Sequence, residues 1–296
     1  MKAPRVTLEQ WRTLQAVVDY GGYAQAAEAL HRSQSSVSYT IARMQEQLGV
    51  PLLEIEGRKA VLTEAGTTLL RRSRQVVQQA SQLEVLAHQM ELGWEAEVNL
   101  VVDAAYPAER LATALQAFMP ASHGCRVQLR EEVLSGVEEC LVNGSADLAI
   151  SGISIAGFLP QQLNAVDFIA VAHPEHALHQ LQRTLNHDDL QGHLQVVIRD
   201  SGKRQPRDSG WLGAEQRWTV ASLATAAKLV ARGLGFAWLP EHEISEQVAA
   251  GKLKILPLQQ GARRSHYLFL YANRERPMGP ATRILADLLI EHSMTA

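Results

Sequence analysis

Apolar residues recur every three or four positions through the first fifty residues. Leu8, Trp11, Leu14, Val17 and Val18 share one helical face, and Gly21-Gly22 ends that helix, because glycine takes left-handed angles without strain. Tyr23 to Leu30 is alanine-rich, with Ala27 and Leu30 on one side. His31-Arg32-Ser33 makes a short turn. A third helix carries Val37, Ile41, Met44 and Leu48, with Ser33 or Ser35 as its N-cap and Gly49 and Pro51 as its stop. Two short helices joined by a tight turn are a helix-turn-helix. Residues 52–63 (LLEIEGRKAVLT) put a Glu-Gly-Arg-Lys turn between two apolar stretches, which predicts a β-hairpin, or wing.

From Glu64 to about Leu92 the pattern predicts one long helix. Leu69, Ser73, Val76, Ala80, Leu83, Ala87 and Met90 alternate in steps of four and three, the ~3.5-residue period of a coiled coil. Large and small residues alternate along this line, so a second copy of the helix can approach closely. Beyond Gly93 the pattern changes to alternating strands and helices. Strands are expected at Val98–Val102, Val127–Leu129, Leu148–Ile150, Phe168–Ala172, Gln195–Ile198, Phe236–Leu239 and Tyr267–Tyr271. Helices are expected at Ala108–Phe118 and Ser222–Arg232. Such alternation gives an α/β sheet with helices on both faces, and about 200 residues suit two linked lobes. The expected class is α+β overall. Its parts are a mostly helical winged helix-turn-helix (1–63), a linker and dimerisation helix (64–92) and a two-lobed α/β domain (93–296). Within that domain lobe I is expected over about 93–163 and 267–296, and lobe II over about 164–266.

Composition narrows the setting. The chain has 296 residues, 46% hydrophobic and 20% charged, which is ordinary for a globular protein of two or three domains. No apolar run reaches the ~18 residues of a membrane span. The opening MKAPRVTLEQW lacks an apolar stretch and cleavage site, so a cytoplasmic protein is expected. Cys125 and Cys140 are too few for a disulfide framework. The net charge of −3 argues against a protein that simply coats nucleic acid.

The string QSSVSYTIARMQEQLGVPLLEIEGRKAVLTEAG (34–66) resembles the head of the LysR-type transcription regulators. The matching positions are Ala26-Ala27 and Leu30, then Gln34, Val37, Ser38 and Ile41, then Leu48 to Leu52, Arg58, and Leu62 to Gly66. VAHPEHAL (171–178) and VARGLGFAWLP (230–240) extend the resemblance, which covers most of the chain. It implies two Rossmann-like lobes, similar to periplasmic binding proteins, around a cleft for a small effector. Leu53 departs from a usual phenylalanine, Ile55 and Tyr39 from common arginines, and Gln45 from a usual glutamate. The two lost arginines remove possible phosphate contacts.

A helix-turn-helix lays its second helix in the major groove. The expected DNA contacts are therefore Gln34, Ser35, Ser36, Ser38 and Tyr39 near base edges, Arg43 on phosphate, and Arg58 and Lys59 at the wing tip. A dimer, or a tetramer built from dimers, would read a pseudo-palindromic duplex. RNA polymerase is a further expected partner. Ligands of open α/β folds sit beyond strand carboxyl ends, where helix N-termini aim N–H groups inward. That singles out Ala104, Ala105 and Tyr106; Ser151, Gly152 and Ile153; Arg199, Asp200, Ser201 and Gly202; and Ser222. Arg199, Lys203 and Arg204 supply cations, so a carboxylate co-inducer is expected. For a neutral or aromatic ligand, Tyr106 and Trp218 are the candidates.

Other chemistry finds little support. His173, His176 and His179 fall at a strand-to-loop exit, where three-residue steps need not converge on a metal. Cys140 sits among apolar helix residues, where a thiol is inert packing. No G-x-S-x-G elbow, Walker loop or G-x-G-x-x-G after a strand occurs, so no enzyme and no cofactor are expected. The competing class is a ligand-binding protein or enzyme on the same two-lobed scaffold.

Overall fold

The computed structural model describes residues 3–56, 59–274 and 278–294, and the chain forms two compact units, Met1–Gln89 and Met90–Ala296. The first unit contains α1 (Leu8–Asp19), α2 (Tyr23–Ala29), α3 (Gln34–Leu48), the antiparallel hairpin β1 (Leu53–Glu56) and β2 (Lys59–Leu62), and most of α4 (Glu64–Glu91). Thr7 and Gln10 form a reciprocal capping box at the start of α1. Ser33 caps α3, accepting from the Ser36 N–H at 3.2 Å, while the Ser35 hydroxyl lies 3.0 Å from that of Ser33. The three helices bury Leu14, Val17, Ala26, Ala27, Val37, Ile41 and Met44, with Leu52 from the start of the wing closing the core.

Polar contacts fix the wing to that core. The Gln45 side-chain oxygen accepts from the N–H groups of Leu52 (2.6 Å) and Leu53 (3.0 Å). Its amide oxygen suffices for this, so an acid is not needed at that position. The Thr63 hydroxyl donates to the Pro51 carbonyl at 2.7 Å and accepts from the Gly66 N–H at 2.9 Å, which starts α4. A Cβ on Gly66 would lie 2.0 Å from the Leu52 carbonyl oxygen, so only glycine lets helix and wing approach here.

The second unit contains β3 (Glu97–Asp103), α5 (Ala108–Ala121), β4 (Arg126–Glu132), α6 (Ser135–Val142), β5 (Leu148–Ser151) and β6 (Gln161–Ala172). It continues through α7 (Ala177–Gln180), α8 (His187–Gln191), β7 (Gln195–Ile198), β8 (Arg217–Val220), α9 (Leu223–Ala231) and β9 (Phe236–Pro240). It ends with α10 (Glu241–Ala249), β10 (Lys254–Ile255), β11 (Arg263–Ala272) and α11 (Pro280–Met294). The strand order is β4-β3-β5-β11-β6-β9-β7-β8, with β10 paired to β6. β4, β3 and β5 run parallel, as do β9, β7 and β8. The antiparallel pair β6–β11 joins these two halves, giving the two-lobed α/β architecture.

Both joining strands are longer than the sequence pattern predicts. β6 starts at Gln161 rather than Phe168, and β11 at Arg263 rather than Tyr267. Gln161, Gln162, Asn164 and Asp167 hide the strand period, while Arg263 and Ser265 are held by side-chain bonds to Asp167 across the pair. β6 serves both lobes. Leu163 and Val166 pack with Leu100, Leu148 and Ile150 in one core, and Ile169 and Val171 pack with Val230 and Leu239 in the other. β8 was not predicted because it is an edge strand with Arg217, Trp218 and Thr219 exposed. Among the described residues no helix is long and apolar enough to cross a membrane.

Candidate nucleic-acid interface and effector cavity

In the first unit the start of α3 presents a polar surface. Gln34, Ser35, Ser36, Ser38, Tyr39 and Arg43 are all exposed, Tyr39 with 65% of its area open. Among the described residues, the side chains of Gln34, Ser38, Tyr39 and Arg43 make no hydrogen bond or ion pair, so their donors and acceptors are available. The Ser33 cap fixes this end of the helix, and its free N–H groups and dipole favour a nearby phosphate. Arg58 lies outside the described residues, as does the side chain of Lys59.

Helix α4 has two stretches. Leu70 and Ser73 are buried, and Leu69 packs on the head's own core. Farther along, Val76 (49%), Leu83 (67%) and Met90 (55%) stand open on the expected seam.

In the second unit a cavity of about 540 Å³ opens at the strand ends. Ala104, Ala105, Gly152, Ile153, Arg199 and Asp200 line it, together with Asp103, Phe168, Gln195, Trp211, Trp238 and Arg264. Asp103 ends β3 with its carboxylate buried, accepting from the Ala105 N–H at 2.9 Å. Burial pushes its carboxyl up from the usual range, an effect that hydrogen bonds only partly offset. An adjoining cavity of about 400 Å³ is lined by Tyr106, Ser201 and Ser222, with Ala104 and Arg199 shared. The Tyr106 hydroxyl is buried there without a partner among the described residues.

Several expected anion donors are already engaged within the chain. Asp200 accepts from the Ser135 N–H (3.1 Å) and hydroxyl (2.7 Å), and from the N–H groups of Gly202 (2.8 Å) and Arg207 (2.6 Å). Its carboxylate thus fills the N-terminus of α6. Burial raises the Asp200 carboxyl, but these four bonds outweigh it and hold the group below its ordinary value. The Ser201 hydroxyl accepts from the Val133 N–H at 2.8 Å and donates to the Val133 carbonyl at 3.2 Å. Gly202 is buried, and a Cβ there would lie 2.0 Å from the Ser135 hydroxyl oxygen. The backbones of Lys203 and Arg204 donate to Glu139, and Arg207 pairs with Glu138 at 2.7 Å. Segment 199–207 is therefore a clasp between the lobes. Ser222 caps α9, accepting from the Thr225 N–H at 3.5 Å. Ser151 is buried, its hydroxyl accepting from the Ile153 N–H at 3.2 Å.

The aromatic lining differs from expectation. Trp218 alternates with its neighbours Arg217 and Thr219, which face the cavity, so its own ring points away and is 50% exposed. The cavity instead carries Trp211 and Trp238, with ring centroids 5.9 Å apart. Trp211, Trp238, Gln195 and Arg264 lie on separate elements, and no spacing in the sequence relates them. The histidines at 173 and 176 turn Nδ1 toward the N–H groups of Glu175 and Leu178, 3.2 Å in each case. Burial and the neighbouring His193 push His176 down to about 4. Cys140 is buried in α6, and burial pushes the Cys125 thiol up to about 11.

Residues 8–67 match the family described as bacterial regulatory helix-turn-helix protein, lysR family, and residues 92–294 match the LysR substrate binding domain. The chain belongs to the LysR family. It is 27% identical over 260 residues to the probable HTH-type transcriptional regulator YhaJ of Escherichia coli K12, covering 86% of this chain and 87% of the relative. It is also 27% identical over 249 residues to the E. coli K12 regulator PunR, covering 82% and 80%. The fold resembles CrgA of Neisseria meningitidis, a LysR-type regulator, with a TM-score of 0.53 at 21% identity over 99% and 100% of the two chains. It also resembles full-length LysG of Corynebacterium glutamicum with bound effector Arg, with a TM-score of 0.52 at 19% identity over 97% and 98%. This LysR-family chain is accordingly a DNA-binding transcription regulator with an effector-binding domain, not an enzyme.

Proposed function

We propose that the regulator reads a pseudo-palindromic promoter site through the start of α3, under control of a small organic anion bound at the cavity. The observation that carries the reading is the capped, exposed polar face of Gln34, Ser35, Ser36, Ser38 and Tyr39, where the side chains of Gln34, Ser38 and Tyr39 are unengaged. Gln34 suits paired hydrogen bonds to adenine in the major groove. The serines reach bases or phosphate, and Arg43, Arg58 and Lys59 serve the backbone. We assign residues 1–63 to DNA binding, 64–92 to dimerisation and 93–296 to effector sensing. The exposed Val76, Leu83 and Met90 support a homodimer through α4, able to pair into a tetramer. A promoter-bound regulator of this kind works in the cytoplasm, beside RNA polymerase.

Signalling requires that the effector bind two DNA-competent states unequally. Ala104, Ala105, Gly152, Ile153 and Arg199 would shape the ligand's surroundings. Asp200, Ser201 and Gly202 act through the clasp, and Tyr106, Ser151 and Ser222 through the fold beside it. Footprinting with and without a bound carboxylate tests the reading. A coupling of about 1–3 kcal/mol changes DNA affinity roughly 5- to 150-fold. An identical footprint and affinity in both states would refute the coupling.

A further inference from the structure

We infer that the main cavity takes a planar aromatic acid bearing a ring N–H or O–H donor, seated on Trp211 and Trp238 with its anion on Arg264. The inference rests on the reading of this cavity as the effector site and specifies the ligand. Three observations carry it.

The first is a built aromatic wall. Trp211, Phe236 and Trp238 pack together with centroids 5.8–6.2 Å apart, and His187 stacks on Trp211 at 5.6 Å and 17°. The Trp238 indole N–H donates to the Gly261 carbonyl at 2.8 Å, which fixes the ring plane. A rigid, part-buried indole pair favours a flat ring over a flexible aliphatic chain.

The second is Arg264. Its guanidinium lies over the Trp238 ring, 4.6 Å from the centroid, and lines the cavity. Among the described residues it has no carboxylate partner, whereas Arg207 is paired with Glu138 and Arg263 with Asp167 and Glu241. Arg199 and Arg217 are exposed to solvent, whereas Arg264 is half-buried. Gly261 makes room for it, since a Cβ there would lie 3.2 Å from two guanidinium nitrogens. Burial already pushes the Arg264 guanidinium down from its ordinary value. A fixed, poorly solvated guanidinium is an anion receptor.

The third is Gln195. It is 3% exposed and lines the cavity; its amide nitrogen donates to the Trp211 carbonyl at 2.8 Å, while its side-chain oxygen is buried without a partner. Reversing the amide would set oxygen against the Trp211 carbonyl, so the open atom is an acceptor. A ligand that brings a donor to the Trp211 wall satisfies it. The carboxylates of Asp103 and Asp200 also line the cavity, and the charge of Asp200 disfavours an anion beside them.

Calorimetric titration of the full-length protein tests this with indole-3-carboxylate. The controls are naphthalene-1-carboxylate (no donor), indole (no anion), and succinate and L-arginine (no aromatic ring). Indole-3-carboxylate should bind about tenfold more tightly than indole and about fivefold more tightly than the naphthoate. Succinate and arginine should bind more weakly than any of these. Arg264→Gln should lose about tenfold for indole-3-carboxylate and leave indole unchanged. Gln195→Met should weaken indole and leave the naphthoate unchanged; the ligand series on the parent decides the matter if that variant does not fold. The inference is overturned if succinate or arginine binds as tightly as indole-3-carboxylate. It is equally overturned if the latter's dissociation constant exceeds about 1 mM, or if Arg264→Gln leaves it unchanged. Footprinting separates the two readings: the predicted affinity order with an unaltered footprint would keep the ligand class and refute the sensing role.

Discussion

Replacing Asp200 with alanine should loosen the clasp between the lobes. The carboxylate serves four donors: the Ser135 N–H and hydroxyl and the N–H groups of Gly202 and Arg207. Ser135 and Gly202 are buried, so their N–H groups and the Ser135 hydroxyl would lose their partner with little access to water. Arg207 is exposed, and water can replace its bond. An orphaned buried donor costs about 1–3 kcal/mol, and three of them, relieved in part by water entering from the cavity, cost about 3 kcal/mol. For a unit of this size that lowers the melting temperature by roughly 6–12 °C. Asp200→Asn keeps Oδ1 for the N–H groups of Ser135 and Gly202 and loses Oδ2, the acceptor of the Arg207 N–H and the Ser135 hydroxyl; the hydroxyl can turn to accept from the new amide N–H, so about 1 kcal/mol is expected. Thermal and urea unfolding followed by tryptophan fluorescence measures both. An Asp200→Ala protein within about 0.5 kcal/mol of the parent would show that the clasp does not hold the lobes.

Other expectations follow from the same contacts. Because Asp200 titrates below its ordinary value when folded, its contribution is present above about pH 4 and is lost as pH falls through the folded value. Asp200→Asn should therefore flatten the acid limb of the stability curve, and parallel acid limbs would contradict this. Leu83→Asp should break the α4 dimer by placing two carboxylates in an apolar seam; light scattering should report a smaller particle, and unchanged mass of the folded variant would sink the seam. Gly66→Ala should destabilise the head by about 1–3 kcal/mol, since the new methyl meets the Leu52 carbonyl 2.0 Å away. A melting temperature equal to the parent's would mean that the wing shifts freely.

The helical head was legible in the sequence because its elements are local. A 3.6-residue period, a serine cap and glycine stops are all set by neighbours within a turn, and α1, α3 and the hairpin fall where those signals place them. The effector side was legible only at strand ends. Ala104, Ala105, Gly152, Ile153 and Arg199 line the cavity because each follows a buried strand. Asp200 and Ser201 look the same in sequence, yet they satisfy α6 and Val133, which lie more than sixty residues away. Trp211, Trp238, Gln195 and Arg264 carry no periodic signal at all. They meet because β7, β9, β6 and β11 lie side by side in one sheet, and the polar start of β11 conceals its place there.

The central claim is that the start of α3 reads DNA sequence. The most direct measurement selects duplexes from a random pool with the full-length protein and compares the parent with Gln34→Ala at near-physiological salt. The account predicts a pseudo-palindromic site for the parent. For Gln34→Ala it predicts relaxed preference at one base position per half-site, at a cost of about 1–3 kcal/mol. Equal binding of the selected and scrambled duplexes by the parent, or an unchanged preference in the variant, would contradict it.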